Sequence, residues 1–279
     1  MILHPDLRLT ALPIADGRYL AVSRLGPQTG PATIVYLHSP FTSPNYWSPL
    51  TTYLHTRLDG RITQLTYHQR TANQHPGSGF AGTSTTGADD LDTVLTQAKG
   101  AVVLVAHSAA ARLMLSWIEK YPRPARTVAG LVLLNGALEF PDTPINPAWR
   151  VQDELLAHFY RPPRNTGRPW PESDGLLAER LHISIAAWVA ATYGTAALTD
   201  TTLSVWRCIP TWILTGALDP LVPPHHCRAL ADQVWADYDC LADTGHSLPY
   251  VEPRQASQPI LAALEVAYRT HLHDGGQPW

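Results

Sequence analysis

The sequence predicts an α/β fold: a mainly parallel central sheet flanked on both faces by helices, with a helical cap inserted into it. Three observations carry this reading. Short apolar segments rich in β-branched residues alternate with segments of helical spacing. Several of the apolar segments, most clearly AVVLVA at 101–106, have no polar face, as strands covered on both sides of a sheet should. Between two of these strands, residues 139–207 form a proline-rich and aromatic-rich stretch far longer than an ordinary connection.

Taken in order, residues 7–12 and 19–25 read as two strands around the turn Ala15-Asp16-Gly17, an antiparallel edge to the sheet. Strands follow at 33–38 and 62–67. Residues 89–98 show helical spacing, with Leu91, Val94 and Leu95 on one face. The strand at 101–106 runs into a helix at 109–121. Strands are expected at 128–134, 211–215 and 237–242, with helices at 224–235 and 258–271. Residues 1–138 and 208–279 thus form the core. Residues 139–207, with Trp149, Phe159, Tyr160, Trp170, Trp188, Tyr193 and Trp206, form the cap.

Composition narrows the function classes. The 279 residues are 45% apolar, enough for one large core with an accessory lobe. A net charge of −3 without a Lys/Arg cluster gives no reason to expect nucleic acid. The first residues, MILHPDLRLT, lack the basic start and apolar run of a signal peptide, and no segment reaches the length of a membrane span. A cytoplasmic protein with no membrane contact is expected. Cys208, Cys227 and Cys240 are scattered and odd in number, which favours free thiols.

The chemistry-bearing residues follow the strands. Ser108 lies at a strand-to-helix turn, in A-H-S-A-A. Such a turn needs small residues two before and two after its apex, here Ala106 and Ala110. Alanine is small but does not relax a turn as glycine does, so a helix-capping serine is the alternative. Asp219 follows the strand at 211–215 in T-G-A-L-D-P-L-V-P, and His246 follows the last strand in G-H-S-L-P-Y-V-E-P. In a parallel sheet all strand C-terminal ends share one edge, so the three can converge.

Nearly the whole chain resembles an α/β-hydrolase. H-S-P-F-T-S-P-N-Y-W, from His38 to Trp47, resembles the oxyanion loop of that family, and A-H-S-A-A resembles its nucleophile elbow. The segments around Asp219 and His246 resemble its acid and histidine loops. The order Ser108, Asp219, His246 is the family's, and the insertion falls where the family carries a cap. The resemblance implies the α/β-hydrolase fold, with Ser108 as nucleophile, His246 as general base and acid, and Asp219 as the carboxylate that orients the histidine. Glu139 is the runner-up acid, and Asp243 a turn residue. His38, His107, Trp149 and Trp188 are the candidate substrate contacts.

One position departs from the family pattern. The oxyanion hole takes one N–H from the residue after the serine, here Ala109, and another from the residue after His-Gly. Here Ser39 replaces that glycine and Pro40 fills the donor position without an N–H. Losing a hole donor costs about 3 kcal/mol of transition-state stabilisation. The Phe41 N–H can take the place, or a hydroxyl of Ser39 or Thr42. Alternatively, the reaction does not pass through a full oxyanion.

No cofactor is expected, and no metal. His225, His226 and Cys227 are adjacent and have no second ligand pair at zinc-like spacing. Gly77-Ser78-Gly79 lacks the Gly-Lys-Ser/Thr of a phosphate loop. The leading reading is a serine hydrolase of an ester, lactone or thioester of a hydrophobic small molecule. The alternatives are a lyase, cyclase or isomerase on the same triad, and a binding protein without turnover. Neither the oligomeric state nor the exact substrate follows from the sequence.

Overall fold

The computed structural model describes residues 4–39, 42–69, 84–142, 185–193, 198–219 and 221–273. Eight strands form one sheet: β1 (Leu7–Pro13), β2 (Tyr19–Leu25), β3 (Ala32–Leu37), β4 (Thr63–Tyr67), β5 (Ala101–His107), β6 (Gly130–Leu134), β7 (Thr211–Gly216) and β8 (Asp237–Leu241). Their spatial order is β1-β2-β4-β3-β5-β6-β7-β8. β1 and β2 form an antiparallel hairpin with Leu7 opposite Leu25, and β2 runs antiparallel to β4. From β4 to β8 every pair is parallel. The expected antiparallel edge on a parallel sheet is therefore present.

The helices are α1 (Ser48–Arg57), α2 (Ser84–Leu95), α3 (Ala110–Lys120), α4 (Pro122–Ala125), α5 (Ile185–Tyr193), α6 (Asp200–Trp206), α7 (Pro224–Val234), α8 (Leu248–Val251) and α9 (Pro253–His273). Alternate strand residues face opposite helical layers. Ile34, Tyr36, Val103, Val105, Val132 and Leu134 pack with Leu50 and Leu54 of α1 and with Ile260 and Ala263 of α9. Val35, Leu37, Leu104, Ala106, Leu131 and Leu133 pack with Leu91 of α2, Leu113 and Trp117 of α3, and Leu230 of α7. Full burial on both faces is why these strands carry no polar alternation, and each such Val, Leu or Ile contributes roughly 1.5–3 kcal/mol over exposure.

Several elements differ from the sequence expectations. α1 was not anticipated, because its inward face is Leu50, Thr51, Leu54 and His55, half of it polar. α2 starts five residues before 89, and α9 begins at Pro253, where proline takes the first helical turn without losing a hydrogen bond. Within 139–207, α6 lies in the helical layer, packed against α3, α4 and α7. Its Trp206 is fully buried and donates Nε1–H to Thr211 Oγ1 at 3.2 Å. The Thr199 hydroxyl caps the helix by accepting from the Thr202 N–H. Val189 and Tyr193 of α5 join the same apolar cluster. Trp149, Phe159, Tyr160, Trp170 and the 77–79 glycine stretch lie outside the described residues.

All three cysteines are free. Cys227 is buried, and burial pushes its thiol up to about 12. Among the described residues no helix is long and apolar enough to cross a membrane.

Candidate active site

Parallel strands deliver their C-terminal ends to one edge of the sheet, and the candidate residues gather there. β5 ends at His107, and α3 starts two residues later with Ala109 at its N-cap. Ser108, between them, is buried and has φ of 56°. That is the left-handed region, uncommon for a residue with a Cβ. The turn is held from both sides: the Ser108 N–H donates to Leu134 O, and its carbonyl accepts from the Ala111 N–H, both at 3.1 Å. Ala106 and Ala110 are fully buried. The elbow therefore forms without flanking glycines, because those positions need small volume while the left-handed strain falls on Ser108 itself. Ala109 stands at the N-terminal end of α3, the positive end of the helix dipole.

The acid and histidine loops meet at the ends of β7 and β8. Gly216 ends β7, and a Cβ there would stand 2.2 Å from Thr244 O. Only glycine admits this approach. The Leu218 N–H then donates to Thr244 O at 2.9 Å. Asp219 is buried, and its Oδ1 accepts from the Leu221 and Val222 N–H groups at 2.8 and 2.9 Å. Its Oδ2 accepts from His246 Nδ1 at 2.8 Å. This bond puts the Nδ1 proton toward the carboxylate, the tautomer that leaves the ring lone pair on Nε2. Glu139 is exposed, as is Asp243. The acid bonded to His246 is Asp219.

His107 joins the two halves. Its Nε2 donates to His246 O at 2.9 Å, and the two rings lie 4.7 Å apart. His246 thus stands against the residue that precedes Ser108. Burial and the neighbouring His246 push the His107 pKa well below its ordinary value, so the ring is neutral. The Tyr46 ring lies tilted against it at 4.8 Å, with Trp47 and Tyr250 behind. Trp47, the tryptophan of the oxyanion-loop motif, is thus a buried core residue.

His38 is buried, and burial lowers its pKa to about 4. Its Nδ1–H donates to Ser39 O at 2.8 Å, and its Nε2 accepts from the Gln69 N–H at 3.3 Å. Both ring nitrogens hold backbone, which leaves neither for a substrate. Tyr193 of α5 reaches the same place and donates to Gln69 Oε1 at 3.2 Å. Pro40, Phe41 and Trp149 lie outside the described residues, as does the side chain of Trp188 on α5.

Asn135, Tyr46, Gln69 and Tyr250 are not singled out by sequence reasoning. Asn135 follows a wholly apolar strand and precedes a glycine. A polar residue in that place was the available signal.

Among the described residues, the group able to hold a metal is not near Ser108. His4, Asp6 and His55 bring ligand atoms within 4.8 Å of one another. They lie at the start of β1 and the end of α1, by the N-terminal ends of the parallel strands. A groove of about 540 Å³ lined by Asp6, Arg8, Arg24 and His55 lies there too, at the edge opposite the candidate triad. His225 and His226 are not part of that group; their rings lie tilted against each other with centroids 4.3 Å apart.

A model described as "Alpha/beta hydrolase family" matches residues 34–257. The chain belongs to the alpha/beta hydrolase family. This α/β-hydrolase is similar in fold to an aryl esterase, itself described as putative, from Burkholderia cenocepacia: TM-score 0.64, 20% identity, over 93% of this chain and 99% of that one. It is also similar to an esterase from Rhodococcus sp., with TM-score 0.62 and 17% identity over 94% and 99% of the two chains. The thioesterase domain from the curacin biosynthetic pathway gives TM-score 0.61 and 17% identity over 92% and 99%. No curated protein matches the sequence. At these identities the likeness is one of fold.

Proposed function

We propose that this α/β-hydrolase is a cofactor-independent serine hydrolase that acts on an ester, thioester or lactone of a hydrophobic small molecule. The observation that carries the reading is the His246–Asp219 hydrogen bond of 2.8 Å to a buried carboxylate, set beside a serine in the left-handed turn between β5 and α3. In this reading Ser108 Oγ attacks the acyl carbon while His246 Nε2 takes its proton. Asp219 keeps His246 in the tautomer that can do so and stabilises its charged form. The Ala109 N–H, at the positive end of α3, faces the developing oxyanion. His246 then returns the proton to the leaving oxygen or sulfur, and water, activated by the same histidine, releases the acid. Similarity in fold to two esterases and a thioesterase domain supports these acyl substrates. The aromatic content of residues 139–207 supports an apolar acyl or alcohol group.

Intact mass after treatment with a small fluorophosphonate tests this. A single adduct on the wild type and none on Ser108→Ala is the expected result. No adduct on either protein would overturn it.

A second reading has a specific ground in Pro40, which has no N–H at the usual second donor position. The same triad would then serve as a base in a lyase, cyclase or isomerase. Product formed in ¹⁸O-water separates the two. Hydrolysis places the solvent oxygen in the product acid, whereas cyclisation or isomerisation does not.

A further inference from the structure

The carboxamide of Asn135 touches both loops that carry the proposed acid and base. Asn135 follows β6, is fully buried, and has φ of 50°. Its Oδ1 accepts from the Gly216 N–H at 2.8 Å, three residues before Asp219. Its Nδ2 donates to Gly245 O at 3.0 Å and to His246 O at 2.8 Å. Its own N–H donates to Leu214 O at 2.9 Å, which fixes the side chain's root on β7.

The structure assigns to Asn135 the role of positioning residue: one planar amide sets the distance and orientation of the Asp219 loop relative to His246. This rests on the triad proposed above. The residue type follows from the geometry. The position demands a left-handed backbone, which asparagine tolerates and most residues do not. It also demands an acceptor on one side and two donor hydrogens on the other. Glycine meets the first demand alone. Aspartate lacks the N–H donors and, when ionised, points an anion at two carbonyl oxygens. His107 adds a further donor to His246 O, so that carbonyl is held from the ends of both β5 and β6. A histidine held through its own backbone carbonyl keeps its ring direction when substrate arrives.

The first test is Asn135→Gly, which keeps the backbone conformation and removes only the clamp. With a p-nitrophenyl ester, kcat is expected to fall about ten- to a hundredfold while KM changes less than about threefold, the size of effect that a small misplacement of catalytic groups produces. The downfield proton resonance of the His246 Nδ1–H···Asp219 bond is expected to shift or vanish. The same loss is expected in the Ser108→Ala background, where no turnover contributes. A folded Asn135→Gly protein with unmoved resonance and wild-type kcat would overturn the role. Should Ser108→Ala keep full activity, the nucleophile assignment falls, while the resonance still reports on the clamp.

Asn135→Asp is the second test, and serves if the glycine variant does not fold. A protonated carboxyl can still donate one hydrogen bond, and an ionised one cannot. Its kcat/KM relative to wild type should therefore fall as pH rises. A ratio that stays constant with pH would overturn the assignment.

Discussion

His107 and His246 are 139 residues apart in sequence, yet the ring of one donates to the backbone carbonyl of the other at 2.9 Å. The strand that presents Ser108 and the loop that presents His246 are thereby joined by the residue next to the serine. His107→Phe keeps an aromatic ring against Tyr46 but removes the donor. Its kcat should fall about tenfold, an outer-partner effect of the size seen when orienting hydrogen bonds are lost. Its circular dichroism should be unchanged. Steady-state kinetics beside a thermal scan checks both.

Asp219→Asn keeps the shape of the side chain. The amide can donate to Nδ1 and so favour the wrong tautomer of His246. The expected loss in kcat is about 10⁴-fold, with KM little changed. A loss below tenfold would mean that another carboxylate serves.

Ser108 occupies a left-handed conformation that favours glycine. Relief of that strain is worth about 1 kcal/mol. Ser108→Gly and Ser108→Ala should both be inactive, but the glycine variant should be the more stable by about that amount. Urea unfolding of the two proteins measures the difference directly.

Acid stability follows from His38. Burial lowers its pKa from 6.5 to about 4, so the unfolded chain binds the proton more readily. The contribution of a neutral His38 is fully present above pH 6.5 and is lost as pH falls toward 4. It amounts to about 3 kcal/mol over that window. The buried, neutral His107 acts in the same direction. Unfolding free energies at pH 7, 6 and 5 should fall steadily in the wild type and less steeply in His38→Gln.

Gly216→Ala places a Cβ within 2.2 Å of Thr244 O. The backbone of the acid and histidine loops must separate to admit it. A stability loss of several kcal/mol is expected, on the scale of overpacking, together with loss of turnover. Denaturation midpoints and ester hydrolysis read the two effects separately.

The parts of this protein legible in its sequence are those where one physical requirement dominates. Strands buried on both faces must be apolar throughout, which makes 101–106 and 128–134 legible. Ser108 and Asp219 follow buried strands, His246 follows the exposed edge strand β8, and Asp219 does bond to His246. α1 was hidden because His55 and Thr51 face inward beside its leucines. Asn135 was hidden for a different reason: its partners, Gly216, Gly245 and His246, are distant in sequence and contribute backbone atoms. A polar residue after an apolar strand marks the position, but partners that contribute only backbone atoms cannot be named from residue type. Length and aromatic content alone make 139–207 look like one lid. α6 at its end sits in the helical layer beside α3, because Trp206 needed a core to bury it.

The order in which the sheet is built along the chain has a consequence for synthesis. β5 and β6 emerge from the ribosome long before β7 and β8, which bring the loops of Asp219 and His246. A nascent chain that has released β6 already holds the partner of the Ser108 N–H, but Asp219 and His246 arrive only with the last third of the polypeptide. Chains that stall or are clipped upstream of β7 therefore carry Ser108 without the Asp219–His246 pair, which forms only when the far edge of the sheet has closed.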